Sequence, residues 1–247
     1  MSPSLRKIAL VTGGSRGIGK SIVTALLNSN VCKIHVLDKC AEDLNTLRDE
    51  TDKERIVTHE IDLSKWNETK EVIASIKDPI SYLVNNAGIV ELMDVGSVSE
   101  RNVDIHLNLN VKAVINVTQC VSDNMIRNKM KGCIVNVSST ASKKGLYGHL
   151  SYCASKSAVN GITRVSALEL GLKGIRVNAV LPTVTMTEMA KVAWSDETKA
   201  AMIKSRIPLR RFAETSDVSN AVLFLLSEQS HFLNGVFLPV DGGFLID

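Results

Sequence analysis

Short runs of almost uninterrupted apolar and β-branched residues recur along this chain, at 7–12, 33–37, 55–61, 81–85, 133–138, 176–181 and 236–240. Amphipathic stretches with helical spacing lie between them, at 18–29, 65–76, 103–129, 151–172 and 216–226. A strand with no polar alternation has no solvated face, so it must be covered on both sides. Strand–helix alternation meets that demand with a parallel sheet between two helical layers. The expectation is an α/β chain, one doubly wound domain over residues 1–247. Its sheet is seven-stranded and parallel with helices on both faces, and a helical insert lies near 187–207.

Composition narrows the partners. Hydrophobic residues make up 45% and charged residues 22%, with a formal net charge of +3. The basic residues are scattered, which gives no footprint for nucleic acid or a membrane surface. No apolar run approaches a membrane span, and M-S-P-S-L-R-K carries no apolar signal region. Five cysteines, an odd number without a C-x-x-C pair, suit reduced thiols and a cytoplasmic location. No metal site is expected.

The first run ends in T-G-G-S-R-G-I-G, so Gly13, Ser15, Arg16, Gly17, Ile18 and Gly19 lie between a strand and a helix. Glycines there permit a tight turn and let a pyrophosphate approach the backbone at a helix N-terminus. The spacing is G-x-x-x-G-x-G rather than G-x-G-x-x-G, and a plain turn is the alternative. With this turn, the predicted architecture is that of a Rossmann domain. Asp38, at the end of the second run, is placed to accept from an adenosine ribose diol and to oppose a 2′-phosphate. Arg16 and Lys39 pull the other way, unless Lys39 is simply solvated. NAD is therefore favoured slightly over NADP. Asp62-Leu63 either faces an adenine amino group or caps a helix opening at Ser64. N-N-A-G at Asn85, Asn86, Ala87 and Gly88 either admits a cofactor ribose or is a turn. Asn108 and Asn110 interrupt a helical pattern with poor helix formers, a local conflict that marks a functional site or a buried hydrogen bond.

Ser139, Tyr152 and Lys156 form the chemical centre. Tyr152 and Lys156 are one helical turn apart, on one face. An ammonium beside a phenol favours the phenolate and is expected to lower the tyrosine pKa. With a serine hydroxyl to hold a carbonyl oxygen, the trio suits acid–base chemistry at C=O.

Taken together, T-G-G-S-R-G-I-G, N-N-A-G, the helical asparagine, the paired serines and Y-C-A-S-K resemble the short-chain dehydrogenase/reductase family over essentially the whole chain. The resemblance implies an NAD(P)(H)-dependent oxidoreductase with Ser139, Tyr152 and Lys156 as catalytic triad and Asn110 completing a proton relay. Tyr152 and Lys156 would also meet the cofactor. R-V-N-A-V-L-P-T-V-T-M-T, W-S-D and R-I-P-L-R-R-F-A-E further resemble the dicarbonyl/L-xylulose reductase subgroup. By position, Val184 and Thr187 would meet the nicotinamide carboxamide, while Leu146, His149 and Trp194 would line the substrate pocket. A helix-start histidine and a packing tryptophan are the alternatives for the last two. Vertebrate members of that subgroup carry a serine and an arginine where this chain has Asp38 and Lys39, and use NADPH. An NAD-linked enzyme would tend to oxidise alcohols instead.

The implied substrate is a small dicarbonyl or a ketose such as L-xylulose. A hydroxysteroid dehydrogenase or a 3-oxoacyl-thioester reductase keeps the same chemistry with another substrate. A non-enzymatic dinucleotide-binding scaffold is the alternative of another class, one with no use for the Tyr152–Lys156 pair. The resemblance also implies a homotetramer that pairs helices near 103–129 and 151–172 and the C-terminal strand.

Overall fold

A computed structural model describes residues 7–246, apart from the side chains of Met189 and Ala193. The opening segment, expected to lack a signal region, lies largely outside these residues. Seven strands form one parallel sheet: β1 (Lys7–Thr12), β2 (Val31–Asp38), β3 (Ile56–Glu60), β4 (Tyr82–Asn85), β5 (Cys133–Val137), β6 (Arg176–Pro182) and β9 (Phe237–Val240). Their order is β3-β2-β1-β4-β5-β6-β9. A separate parallel pair joins β7 (Thr185–Met186) to β8 (Ala213–Glu214).

The apolar strand runs have the expected cause. Leu10 and Val11, neighbours in β1, are each fully buried but belong to opposite apolar layers. Ile134 and Val135 in β5 divide in the same way. Each such side chain contributes about 1.5–3 kcal/mol on burial, so a polar residue in either register would cost a helical layer its contact. One layer holds α1 (Gly17–Leu27), α2 (Ala41–Glu50) and α9 (Thr215–Leu226); the other holds α3 (Trp66–Ser75), α5 (Ala113–Arg127) and α6 (Leu150–Gly171).

Two local readings change. The helix expected over 103–129 is three pieces: α4 (Glu100–His106), a π turn (Leu107–Lys112) and α5. Asn110 supplies the physical reason, because its amide is drawn inward to the chain after β4 instead of lying on a regular helical face. A π turn within a helix recurs at functional sites. Residues 187–207 contain α7 (Glu188–Ala193) and α8 (Glu197–Lys204), each started by its own side-chain cap, Thr187 and Asp196. They pack Ala200, Ile207, Phe212 and Phe244 into a small third cluster.

Strand order reverses between β1 and β4. The crevice for a ligand in such a sheet lies there, beyond the strands' carboxyl ends.

Candidate active site

The glycine turn is built by sterics. Gly13 and Gly17 have φ of 62° and 55°, the left-handed region that side chains rarely enter. A Cβ on Gly19 would fall 1.9 Å from the Gly13 carbonyl oxygen. Arg16, the residue before α1, gives no side-chain cap, and the first turn holds no acidic residue. The N-terminal amides therefore lack an internal acceptor side chain, which suits an anion. Ile18 packs against the first apolar layer.

Asp38 ends β2 beside this turn. Its Oδ2 accepts from Ser15 N at 3.2 Å and Ser15 Oγ at 2.6 Å, while its Oδ1 accepts from Lys39 N at 2.8 Å. The carboxylate thus ties the second strand to the glycine turn. Arg16 pairs with Asp43 at 3.5 Å, and the Lys39 side chain is exposed. Asp62 Oδ1 accepts from Ser64 N at 2.9 Å, the capping-type contact of the two alternatives, although α3 starts only at Trp66. Burial would raise its pKa, but the Ser64 hydrogen bonds and nearby lysines outweigh that and lower it. Leu63 commits its side chain to the second apolar layer.

The two asparagines of N-N-A-G divide their labour. Asn85 is buried and donates to Thr118 Oγ1 and Asn136 Oδ1, tying β4 to its neighbours. Asn86 Nδ2 donates to the Thr12 and Gly13 carbonyls at 3.0 and 2.8 Å. Thr12 Oγ1 returns the contact by accepting from the amides of Asn86 and Ala87. Gly88 is exposed, and a Cβ there would meet Asn110 Oδ1 at 3.2 Å and Lys156 Nζ at 3.3 Å. The bare backbone leaves a cradle whose sides are an amide and an ammonium.

Asn110, not Asn108, faces this cradle. Its Oδ1 accepts from Ile89 N at 2.9 Å, and its Nδ2 donates to Ile89 O and Ser155 Oγ, each at 3.0 Å. Asn108 instead accepts from Lys112 on the surface. Ser139 follows β5, and its Oγ accepts from Ala141 N. Tyr152, near the start of α6, has the Ser139 side chain as a polar neighbour. Lys156 Nζ lies 5.8 Å from the Tyr152 ring centroid and donates to Val137 O at 2.9 Å. Three N–H donors with one acceptor among the described residues leave capacity for hydroxyl groups.

One expectation is corrected. Tyr152 is expected to have a lowered pKa, and instead burial raises it, partly opposed by the neighbouring Ser139 side chain. Burial also pulls Lys156 down to about 8. The cause is geometric: the ammonium is directed to the Val137 carbonyl, and desolvation outweighs its effect on the phenol.

On the far side, Val184 O accepts from Ala213 N. Thr187 lies against the glycine turn, its Cγ2 3.1 Å from where a Gly17 Cβ would be. Leu146, Val184 and Trp194 come together in the third cluster, where Trp194 packs on Phe212. His149 precedes α6 and sits edge-on to Tyr152, with ring centroids 6.0 Å apart.

A family model for the short chain dehydrogenase matches residues 7–198. The chain belongs to the short-chain dehydrogenase family. It is thus an NAD(P)-dependent oxidoreductase acting on CH–OH groups. It is 44% identical to an L-xylulose reductase of Mesocricetus auratus over 238 residues, 96% of each chain. It is 41% identical to a D-erythrulose reductase of Gallus gallus over 238 residues, covering 96% of this chain and 95% of that one. The solved structure of ElxO with NADP bound is similar to this short-chain dehydrogenase at a TM-score of 0.92 and 28% identity, covering 98% of this chain and 100% of the other.

His106 escaped the sequence reading. It is buried, and its ring lies 6.3 Å from that of Tyr152. Its spacing of four residues from both Asn102 and Asn110 was the available signal.

Proposed function

We propose that this dehydrogenase reduces a small ketose or dicarbonyl, with Tyr152 as proton donor, Ser139 and Lys156 as its partners, and Asn110 holding the relay. The convergence of Tyr152, Lys156 and Asn110 at the Gly88 opening carries the reading, because a phenol held beside an ammonium at an open cradle is placed to give a proton to a forming alkoxide. The nicotinamide dinucleotide, when bound, supplies or accepts the hydride. Ser139 orients the substrate oxygen toward the phenol. Lys156 replaces the Tyr152 proton and hydrogen-bonds ribose hydroxyls. The α1 N-terminus and Gly13–Ser15–Arg16–Gly17 receive the pyrophosphate, Asn86, Ala87 and Gly88 the adjoining ribose, and Asp62 and Leu63 the adenine end. Val184 and Thr187 flank the carboxamide. Leu146, His149 and Trp194 line the carbonyl's approach.

NAD(H) is the favoured cofactor. Asp38 places a carboxylate beside the glycine turn, and Arg16 is already paired with Asp43. The similarity to L-xylulose and D-erythrulose reductases supports the ketose class. The experiment is steady-state kinetics with NADH and NADPH on L-xylulose, erythrulose, diacetyl, a ketosteroid and an acetoacetyl thioester. The highest kcat/KM is expected for a ketose or diacetyl; preference for the ketosteroid or thioester overturns the substrate class. Asp38→Ser should raise the NADPH/NADH efficiency ratio about tenfold, the scale of one charge-assisted contact. An unchanged ratio would assign selection to Arg16 or Lys39.

A homotetramer is the proposed assembly. Ile115 and Ile126 on α5, and Val165 and Leu168 on α6, leave apolar surface exposed on the helices concerned. A monomer in light scattering would overturn it. The proposed location is the cytoplasm, supported by five free thiols; cell fractionation with a cytosolic marker tests it.

A further inference from the structure

Asn102, His106 and Asn110 recur every fourth residue through α4 and the π turn, and all three are buried. Their polar atoms converge on one short stretch of chain. Asn102 Nδ2 donates to Glu91 O at 3.2 Å, His106 Nε2 accepts from Glu91 N at 3.2 Å, and Asn110 holds both backbone groups of Ile89. That stretch follows directly from Gly88, the open floor between Asn110 and Lys156.

The His106 ring has one possible hydrogen arrangement. Nδ1 lies 2.6 Å from the Asn102 carbonyl, which can only accept, and Nε2 faces the Glu91 N–H, which can only donate. The hydrogen is therefore on Nδ1 and the lone pair on Nε2. The same ring meets Tyr152 edge-on, at an interplanar angle of 71°. It is the one side chain of the three with a ring contact to that tyrosine.

We propose that His106 is a positioning residue, which sets the spacing between Tyr152 and residues 89–91 by accepting from the Glu91 amide while packing against the phenol. This rests on Tyr152 being the proton donor. Losing the Nε2 acceptor frees the Glu91 amide, loosens the floor beyond Gly88 and shifts Tyr152 relative to a bound carbonyl. Displacements of this size cost rate more than affinity.

The test compares His106→Gln with His106→Asn. A glutamine oxygen reaches the position of Nε2, whereas an asparagine amide reaches only as far as Nδ1. Single-turnover reduction of L-xylulose is measured with NADH and with NADPH, and cofactor Kd is measured by fluorescence. His106→Gln should stay within about threefold of the parent. His106→Asn should lose about tenfold or more in the single-turnover rate, with cofactor Kd changed less than about twofold. Equal rates for His106→Asn and the parent, or equal losses for both variants, overturn the proposal. Should His106→Asn fail to fold, His106→Phe keeps the ring and removes the acceptor, and carries the same expectation. Native-state hydrogen exchange gives an arm without any variant: the Glu91 amide should be protected, and exchange at the free-peptide rate overturns the proposal. Tyr152→Phe in the same assay separates the two failures. If Tyr152→Phe turns over normally, the catalytic reading falls. If it is inactive while His106→Asn is unimpaired, only the positioning role falls.

Discussion

Two clusters of partly buried polar side chains sit on this sheet, and they are built on opposite plans. On β2 and β3, His35 Nδ1 and His59 Nε2 lie 3.0 Å apart, and His35 Nε2 lies 3.0 Å from Asp78 Oδ2. Asp78 also pairs with Lys33 at 2.9 Å, so the members of that network bond chiefly to one another, with Lys33 and Asp78 at its solvated edge. At the carboxyl ends of β4 and β5, Asn110, Ser139 and Lys156 are buried and Tyr152 is half-buried, but they adjoin the exposed Gly88. Among the described residues, Lys156 spends one donor on Val137 and keeps the others. A closed polar cluster contributes to the fold, whereas an open one holds groups ready for a ligand. Burial alone does not separate the two; unused hydrogen-bonding capacity beside an opening does.

That contrast breaks most visibly at Tyr152. Tyr152→Phe should lower kcat by about 10²–10⁴ while cofactor affinity and the melting temperature stay near their parent values. Retention of more than a few per cent of turnover would remove Tyr152 from the chemistry and make the open cluster as structural as the other.

A smaller effect belongs to the closed cluster. Burial, followed by repulsion from His35, lowers His59 to about 4, and burial also lowers His35 despite its partner Asp78. A histidine that is harder to protonate folded than unfolded supports the fold above its unfolded pKa of about 6.5. That support is lost as pH falls from about 6.5 toward 4, on the order of 1–3 kcal/mol for these partly exposed, coupled groups. Urea titrations at pH 7 and pH 4.5 measure it, and His59→Gln should flatten the difference. An unchanged slope in His59→Gln would place the acid sensitivity elsewhere.

The glycine turn was legible in the sequence because its constraint is local. Left-handed Gly13 and Gly17, and the space-filling limit at Gly19, follow from three residues between a strand and a helix. Tyr152 and Lys156 were legible for the same reason, being one turn apart on a helix that did form. His106 was hidden because its partners come from residue 91 before it and residue 152 after it. The helix break at Leu107–Lys112 was visible only as two poorly placed asparagines, since its cause is a contact across 21 residues to Ile89.

The sequence by itself determined the parallel sheet, the glycine turn and the placing of Tyr152 and Lys156 one turn apart on a helix, since each depends on periodicity or on neighbours within a turn. Tertiary structure decided which asparagine turns inward, where Asp38 sends its oxygens and in which direction the Tyr152 pKa moves. Those outcomes depend on desolvation and on hydrogen-bond partners brought together from distant parts of the chain, and neither exists until the strands and helices have packed.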